Sequence, residues 1–155
     1  MREIKSVVLH CTATPLDRKL TVKEIRKWHV KGNGWADIGY HFVIHQDGTI
    51  ERGRPIGKVG AHTWGNNHGS IGVAYCGGVE KKVLKSMDKD KPKSKTTFVS
   101  KDTMTDEQEA SFRNLFEMLE IMFGELKLRG HNDYTSSKEC PGFKVREKFG
   151  DIMEL

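Results

Sequence analysis

The chain has 155 residues, of which 36% are apolar and 30% are charged, and its formal net charge at pH 7 is +5. This length is typical of one domain, here residues 1–155, with a core that needs no disulfide crosslinks. No segment approaches the roughly 20 apolar residues of a membrane-spanning helix. The N-terminus lacks the pattern of a secretory signal, and the cysteine count is odd. We therefore expect free thiols and a protein that is cytoplasmic as synthesised.

The first half of the chain predicts three strands and one helix. Residues 4–10 are apolar and β-branched, which is typical of a strand, and they end at a Thr-rich turn. Residues 21–31 place apolar side chains at helical spacing. Residues 40–44 and 50–52 flank Asp47-Gly48 and predict a hairpin with a tight turn.

The second half adds the longest predicted helix. Residues 70–76 predict a strand, and residues 105–123 predict a helix whose Thr105 and Gln108 form a capping box. The apolar stripe of this helix consists of Phe112, Leu115, Phe116, Leu119 and Met122 or Phe123. A short strand through Leu126 and Leu128 and a final helix from near Lys144 complete the chain. Strands mixed with helices, including one hairpin, predict an α/β fold with a central mixed β-sheet flanked by helices.

The positive charge is concentrated in one segment. Residues 80–101 hold eight lysines against three acidic residues, which equals the net charge of the whole chain. We expect this segment to be a lysine-rich, solvated loop insertion. It is either a solubilising insertion or an electrostatic handle for an anionic polymer such as teichoic acid, nucleic acid or lipid head groups. Only one aromatic residue, Phe98, lies among its lysines, so specific nucleic-acid binding is not expected.

Two histidines and one cysteine are candidate metal ligands. His10 and His131 each lie at the exit of a predicted strand, and Cys140 lies nine residues after His131 in a loop of small and polar residues. Two imidazoles and one thiolate suit a catalytic zinc ion with a fourth position open to water. Alternatively, His10 is a hydrogen-bonded residue at a strand end, and Cys140 is a small buried residue. Cys11 is the rival ligand, but alternation along a strand turns it away from the face of His10.

Four segments together resemble a known family. VVLHCTATP, GYHFVIHQDGTIERGRP, GAHTWGNNHGSIGVAYCGG and GHNDYTSSKECPGF are similar to the zinc-dependent N-acetylmuramoyl-L-alanine amidases of the T7 lysozyme type. That group of type-2 amidases includes the peptidoglycan-recognition proteins. The resemblance extends over nearly the whole chain and implies a central mixed sheet with zinc at one end. It also implies hydrolysis of the bond between N-acetylmuramic acid and L-alanine in peptidoglycan, in the manner of a phage or prophage lysin.

The resemblance also assigns roles to individual residues. His10, His131 and Cys140 match the zinc ligands, Tyr40 matches the tyrosine beside the catalytic water, and Lys138 matches the lysine near the scissile carbonyl. His62 and Asn67 match positions that contact substrate. The residues alone leave alternatives: a loop histidine for His62, a turn asparagine for Asn67 and a solvated lysine for Lys138. Trp35 and Trp64 are candidates either for stacking on sugar or for packing.

Three functions remain open on these grounds. The first is a zinc amidase, acting as a monomer on peptidoglycan or muropeptides and reaching the wall by a phage-type route. The second is a recognition module that binds peptidoglycan without cutting it, although that branch typically lacks the cysteine ligand. The third is a thiol hydrolase in which Cys140 is the nucleophile and His131 the base. One departure from the family is the lysine-rich segment, which is longer and more basic than the short turn expected there.

Overall fold

The strands of the protein lie in two separate sheets in the computed structural model, which describes residues 2–85 and 94–154. Across these residues the strands are β1 Ser6–Cys11, β2 Phe42–Ile44, β3 Ile50–Arg52, β4 Ser70–Tyr75, β5 Val79–Leu84, β6 Lys95–Ser100 and β7 Lys127–Gly130. Five of them form the central sheet in the order β3-β2-β4-β1-β7, and β5 pairs with β6. Strand β1 is parallel to β4 and β7, β2 is parallel to β4, and β3 is antiparallel to β2. The prediction of a central mixed sheet is confirmed.

The helices begin and end close to the predicted positions. They are α1 Val22–Lys27, α2 Asp106–Phe123, α3 His131–Tyr134 and α4 Val145–Phe149, with a π-helical turn at Trp28–Gly32. The helix predicted over residues 21–31 is therefore an α-helix only in its first part, and its Thr21 side chain caps it by accepting from the backbone N–H of Glu24 at 3.1 Å. The predicted capping box of α2 is present. No helix in the described ranges is long and apolar enough to span a bilayer.

Apolar side chains cover both faces of the central sheet. On one face, Leu9 and Val73 of the sheet pack with Phe112 and Phe116 of α2 and with Phe149 of α4. On the other face, residues of α1 and of the chain after it pack against Val43 of β2. The buried stripe of α2 matches the prediction at Phe112, Leu115, Phe116 and Leu119. Met122 is 58% exposed, and Phe123 is the residue that packs against the core.

The lysine-rich segment is not the loop that the sequence predicted. Its two ends form the antiparallel strands β5 and β6, and residues 86–93 between them lie outside the described residues. The β-branched residues Val83, Thr96, Thr97 and Val99 favour extended backbone, which the lysine count had obscured. The expectation of solvation holds for β5, because five of its six side chains are exposed.

Gln108 joins the start of α2 to the sheet. Its side chain is fully buried, its Nε2 donates to the carbonyl oxygens of Ile44 at 3.1 Å and Cys76 at 3.0 Å, and its Oε1 accepts from the Thr105 N–H at 2.9 Å. A leucine there would remove all three hydrogen bonds at little change in volume. This polar side chain therefore fixes α2 against the ends of two strands.

We expect Gln108→Leu to lower the free energy of unfolding by about 3 kcal/mol, because buried polar groups lose their partners and the helix loses its cap. In a domain of this size the melting temperature should fall by roughly 10 °C. Glu117→Leu, at an exposed position of the same helix, is the control and should change it little. Calorimetry of both variants checks the prediction, which fails if the two melt together.

Candidate metal centre

Two parallel strands deliver two histidines to the same edge of the sheet. Leu9 of β1 pairs with Gly130 of β7, so that the next residues, His10 and His131, follow side by side. Their imidazole centroids lie 4.7 Å apart. His10 is 1% exposed, whereas His131 is half-buried at the start of α3.

The loop after α3 returns Cys140 to these histidines. The backbone N–H of Asn132 donates to the Cys140 carbonyl oxygen at 2.9 Å, which closes the loop. The Cys140 Sγ lies 3.8 Å from His10 Nδ1 and accepts from the backbone N–H of Cys11 at 3.1 Å. One potential donor atom from each of His10, His131 and Cys140 lies within 4.8 Å of the other two. In the part of the chain that the structure describes, this is the one cluster of at least three His, Cys, Asp or Glu side chains with such spacing.

The donor atoms of this cluster suit zinc. Two imidazole nitrogens and one sulfur are the ligands that zinc prefers, whereas magnesium and calcium prefer oxygen. Tetrahedral zinc would hold a nitrogen and a sulfur about 3.6 Å apart, close to the 3.8 Å between His10 Nδ1 and Cys140 Sγ. The cluster faces a cleft of about 640 Å³, so a fourth position is accessible to water and substrate.

The protonation of these groups is set by burial. Burial, together with the neighbouring His62 and His131, holds the pKa of His10 well below its usual value. The pKa of His131 is lowered by burial and by the nearby Lys138. Both imidazoles are therefore neutral at pH 7, the form that binds a metal. The pKa of the Cys140 thiol is raised, first by its contact with the Cys11 thiol and then by burial, although the Cys11 backbone N–H acts in the opposite direction. The raised pKa opposes the use of Cys140 as a metal-free nucleophile.

Tyr40 and Lys138 line the same cleft. The Tyr40 ring lies 5.3 Å from the ring of His10 and rests against His29, also at 5.3 Å between centroids. Burial raises the pKa of Tyr40 above its usual value, so its hydroxyl stays protonated and can donate a hydrogen bond. Lys138 is exposed, and its backbone N–H donates to the Thr135 carbonyl oxygen at 3.1 Å.

His62 lies behind His10 and is 8% exposed. Its Nδ1 is 2.9 Å from His10 Nε2, and its Nε2 is 3.3 Å from Ser70 Oγ. A side chain at either Gly60 or Gly72 would clash with this imidazole, so the backbone forms a slot for it. If His10 Nδ1 held a metal, His10 Nε2–H would donate to His62 Nδ1.

Asn67 organises the loop that carries His62. Its Oδ1 accepts from the backbone N–H groups of His62 and Thr63, each at 2.9 Å. His62 is among the residues lining the cleft. The substrate contacts expected of His62 and Asn67 stay predictions, beside the structural roles described here.

The two tryptophan candidates for stacking on sugar lie at different places relative to the cleft. Trp35 lines the cleft and packs against His29, whereas Trp64 is 95% exposed outside it. His41 has a structural role, because its Nδ1 accepts from the backbone N–H of Gly72 at 3.0 Å.

Two contributors at the centre were not predicted. These are the Thr63 hydroxyl, 3.2 Å from His10 Nε2, and the backbone N–H of Cys11 that contacts Cys140 Sγ. A backbone donor leaves no signal in the sequence. Thr63 follows His62 directly, and a short side chain beside a buried histidine is the one local hint of its position.

The mixed sheet presents two imidazoles and a thiol at the floor of an open cleft, which is the arrangement of a hydrolase with a candidate metal centre. Residues 1–143 match the N-acetylmuramoyl-L-alanine amidase family, and the chain belongs to that family. It hydrolyses peptidoglycan at the amide bond that joins the N-acetylmuramoyl group to L-alanine.

Curated relatives and a solved structure agree with this family. The endolysin of Enterobacteria phage T3 is 39% identical over 142 residues, which cover 92% of this chain and 83% of the relative. The endolysin of Escherichia phage T7 is 38% identical over 141 residues, covering 91% and 82%. The N-acetylmuramoyl-L-alanine amidase LysC from Clostridium intestinale superposes with a TM-score of 0.72 at 28% identity, covering 96% of this chain and 87% of that one.

Proposed function

We propose that this amidase depends on zinc and that His10, His131 and Cys140 bind the ion. The observation that carries the proposal is the convergence of these three donors, two of them neutral imidazoles, at the floor of the cleft. When bound there, zinc would lower the pKa of a water molecule and polarise the scissile carbonyl. The three donors come from one chain, so the proposed centre is complete in a monomer.

Lys138 and Tyr40 are proposed to act on the substrate amide. Lys138 lines the cleft two residues before Cys140, where its ammonium would stabilise the negative charge that develops on the carbonyl oxygen. The Tyr40 hydroxyl, kept protonated by burial, would orient the attacking water by a hydrogen bond. Cleavage releases the lactyl carboxylate of the muramic acid and the free amino group of L-alanine.

Product analysis tests this function. Purified protein incubated with a muropeptide should produce one new L-alanine amino terminus per cleavage and no new reducing sugar end. Treatment with a chelator should stop the reaction. A binding-only recognition module would retain the muropeptide uncut, and a thiol hydrolase would continue in the chelator; either result rejects the proposal.

His62 is proposed to position the zinc ligand His10 by accepting the Nε2–H hydrogen bond at 2.9 Å. We expect His62→Phe, which keeps a ring of similar size but has no acceptor, to raise the Kd for zinc about 10- to 100-fold. His68→Phe, at an exposed histidine of the same loop, should leave it unchanged. Competition with a metal-binding dye measures both, and equal affinities for the two variants would contradict the role. A higher KM for His62→Phe at saturating zinc would reveal the predicted substrate contact separately.

The endolysin relatives support a further proposal, that the chain lyses bacterial walls. In that setting its substrate is polymeric peptidoglycan rather than soluble fragments alone.

A further inference from the structure

The β5–β6 hairpin, residues 79–84 and 95–100, is a separate two-stranded sheet rooted beside the metal centre. Its root is Gly78, with φ of +98°, where any side chain would clash with Cys11 Sγ. The Gly78 N–H donates to Thr103 Oγ1 at 2.8 Å, and its carbonyl oxygen accepts from the Lys101 N–H at 3.0 Å. The hairpin therefore begins at a fixed point next to the Cys11 backbone that contacts Cys140.

One face of the hairpin continues the wall of the cleft. Val79 pairs with Ser100 and Lys81 pairs with Phe98, and directly paired residues share a face. Val79, Phe98 and Ser100 all line the cleft. Residues two apart in a strand share a face, so Lys81 and Val83 lie on the same face as Val79. This face extends about 17 Å from Val79 to the end of β5.

This surface is both cationic and apolar. Phe98 is 55% exposed and Val83 is 56% exposed, with Lys81 between them. Lys85 follows β5 directly in the same alternation, whereas the exposed Lys82 and Lys95 lie on the opposite face of the hairpin. Among the described residues, no carboxylate lies within 4.0 Å of any of these four lysines, whereas Lys101 at the root pairs with Glu80 at 3.3 Å.

We propose that this face is a substrate subsite that binds the carboxylate-bearing peptides of polymeric peptidoglycan outside the cleft. The inference rests on the proposed function and extends it to the form of the substrate. Peptide stems combine free carboxylates with apolar side chains, which matches alternating lysine and apolar residues. A phosphate polymer would need only the charge and would gain nothing from Phe98 or Val83. The face also leads directly into the catalytic cleft, where the same polymer has to enter.

A charge variant tests the subsite. Lys81 and Lys85 are changed together to glutamine, and the control changes Lys23 and Lys127, two other exposed lysines. On purified sacculi we expect kcat/KM of the hairpin variant to fall about tenfold and to lose most of its salt dependence. On a soluble monomeric muropeptide both variants should stay within about twofold of the parent. Equal activity of the two variants on sacculi, or an equal loss by the hairpin variant on both substrates, would overturn the proposal.

A second variant separates the peptide from a phosphate polymer. Phe98→Ser should lower kcat/KM on sacculi about fivefold without changing the salt dependence, since it removes apolar contact and no charge. Sacculi stripped of phosphate polymers should show the same losses for both variants. If the losses vanish on stripped walls, the hairpin binds the phosphate polymer and the peptide subsite is wrong. If the parent protein cleaves neither substrate, the proposed function itself fails, which is a different result from any of these.

Discussion

Replacing Cys140 with serine is expected to lower kcat/KM at least about 1000-fold and to release the zinc. The thiol is one of three donors within 4.8 Å of one another, and an alcohol of nearly the same size is a much poorer ligand for zinc. Without the ion, the carbonyl is not polarised and the water keeps its high pKa. Metal analysis after dialysis should therefore find less than about 0.1 zinc per chain, beside about one in the parent.

Cys76→Ala is the matched control for the loss of a thiol. Cys76 is also buried, but its side chain packs against the α1 side of the sheet and is absent from the metal cluster. This variant should keep its zinc and most of its activity, with a loss of stability of about 1 kcal/mol. A Cys140→Ser protein that retains one zinc and full activity would remove Cys140 from the ligand set.

Replacing Lys138 with methionine is expected to lower kcat about 100- to 1000-fold while zinc content stays at one per chain. Methionine keeps the length of the side chain but removes the charge that would stabilise the developing oxyanion. Because that charge is needed mainly in the transition state, KM should change by less than about threefold. Steady-state kinetics on a soluble muropeptide, with metal analysis of the same sample, separates this effect from loss of the ion.

Lys127→Met tests whether any loss of a lysine has this effect. Lys127 is exposed at the start of β7 and is not among the residues that line the cleft. Its activity should match the parent. If Lys138→Met also matches the parent, Lys138 is the solvated loop lysine that the residues alone suggested, and the charge must be stabilised without it.

Much of the fold follows from patterns of short range. The capping box at Thr105 and Gln108 and the apolar stripe of α2 are local signals, and both are present. The first strand, predicted over residues 4–10 and observed at Ser6–Cys11, and the hairpin around Asp47-Gly48 depend on neighbouring residues in the same way. These elements could be predicted because each is determined within a few residues of sequence.

The arrangement of the candidate site depends on contacts that the sequence does not encode locally. His10 and His131 become neighbours only because Leu9 pairs with Gly130 across two parallel strands that are far apart in the chain. The residues alone give three candidate ligands at separate places in the chain, and the family resemblance groups them into one site. The hydrogen bond between His10 and His62 depends on register and burial in the same way.

The lysine-rich segment shows where composition misleads. The high charge and the lack of a large apolar stripe predict a loop. The segment instead forms a hairpin, in which β-branched residues such as Val83 and Thr96 lie opposite one another. Since this hairpin packs mostly against itself, it has no continuous apolar face to reveal it. The strand propensity of the β-branched residues is the one signal of the hairpin in the sequence, and the many lysines mask it.

The dependence of activity on bound zinc is the most direct measurement of the central claim. The protein is stripped of metal, zinc is added back in steps, and hydrolysis of a muropeptide is followed together with the zinc bound per chain. We expect no activity in the stripped protein and a linear rise that ends at one zinc per chain. Full activity in the stripped protein, or no recovery when one zinc is bound, would contradict a zinc amidase built on His10, His131 and Cys140.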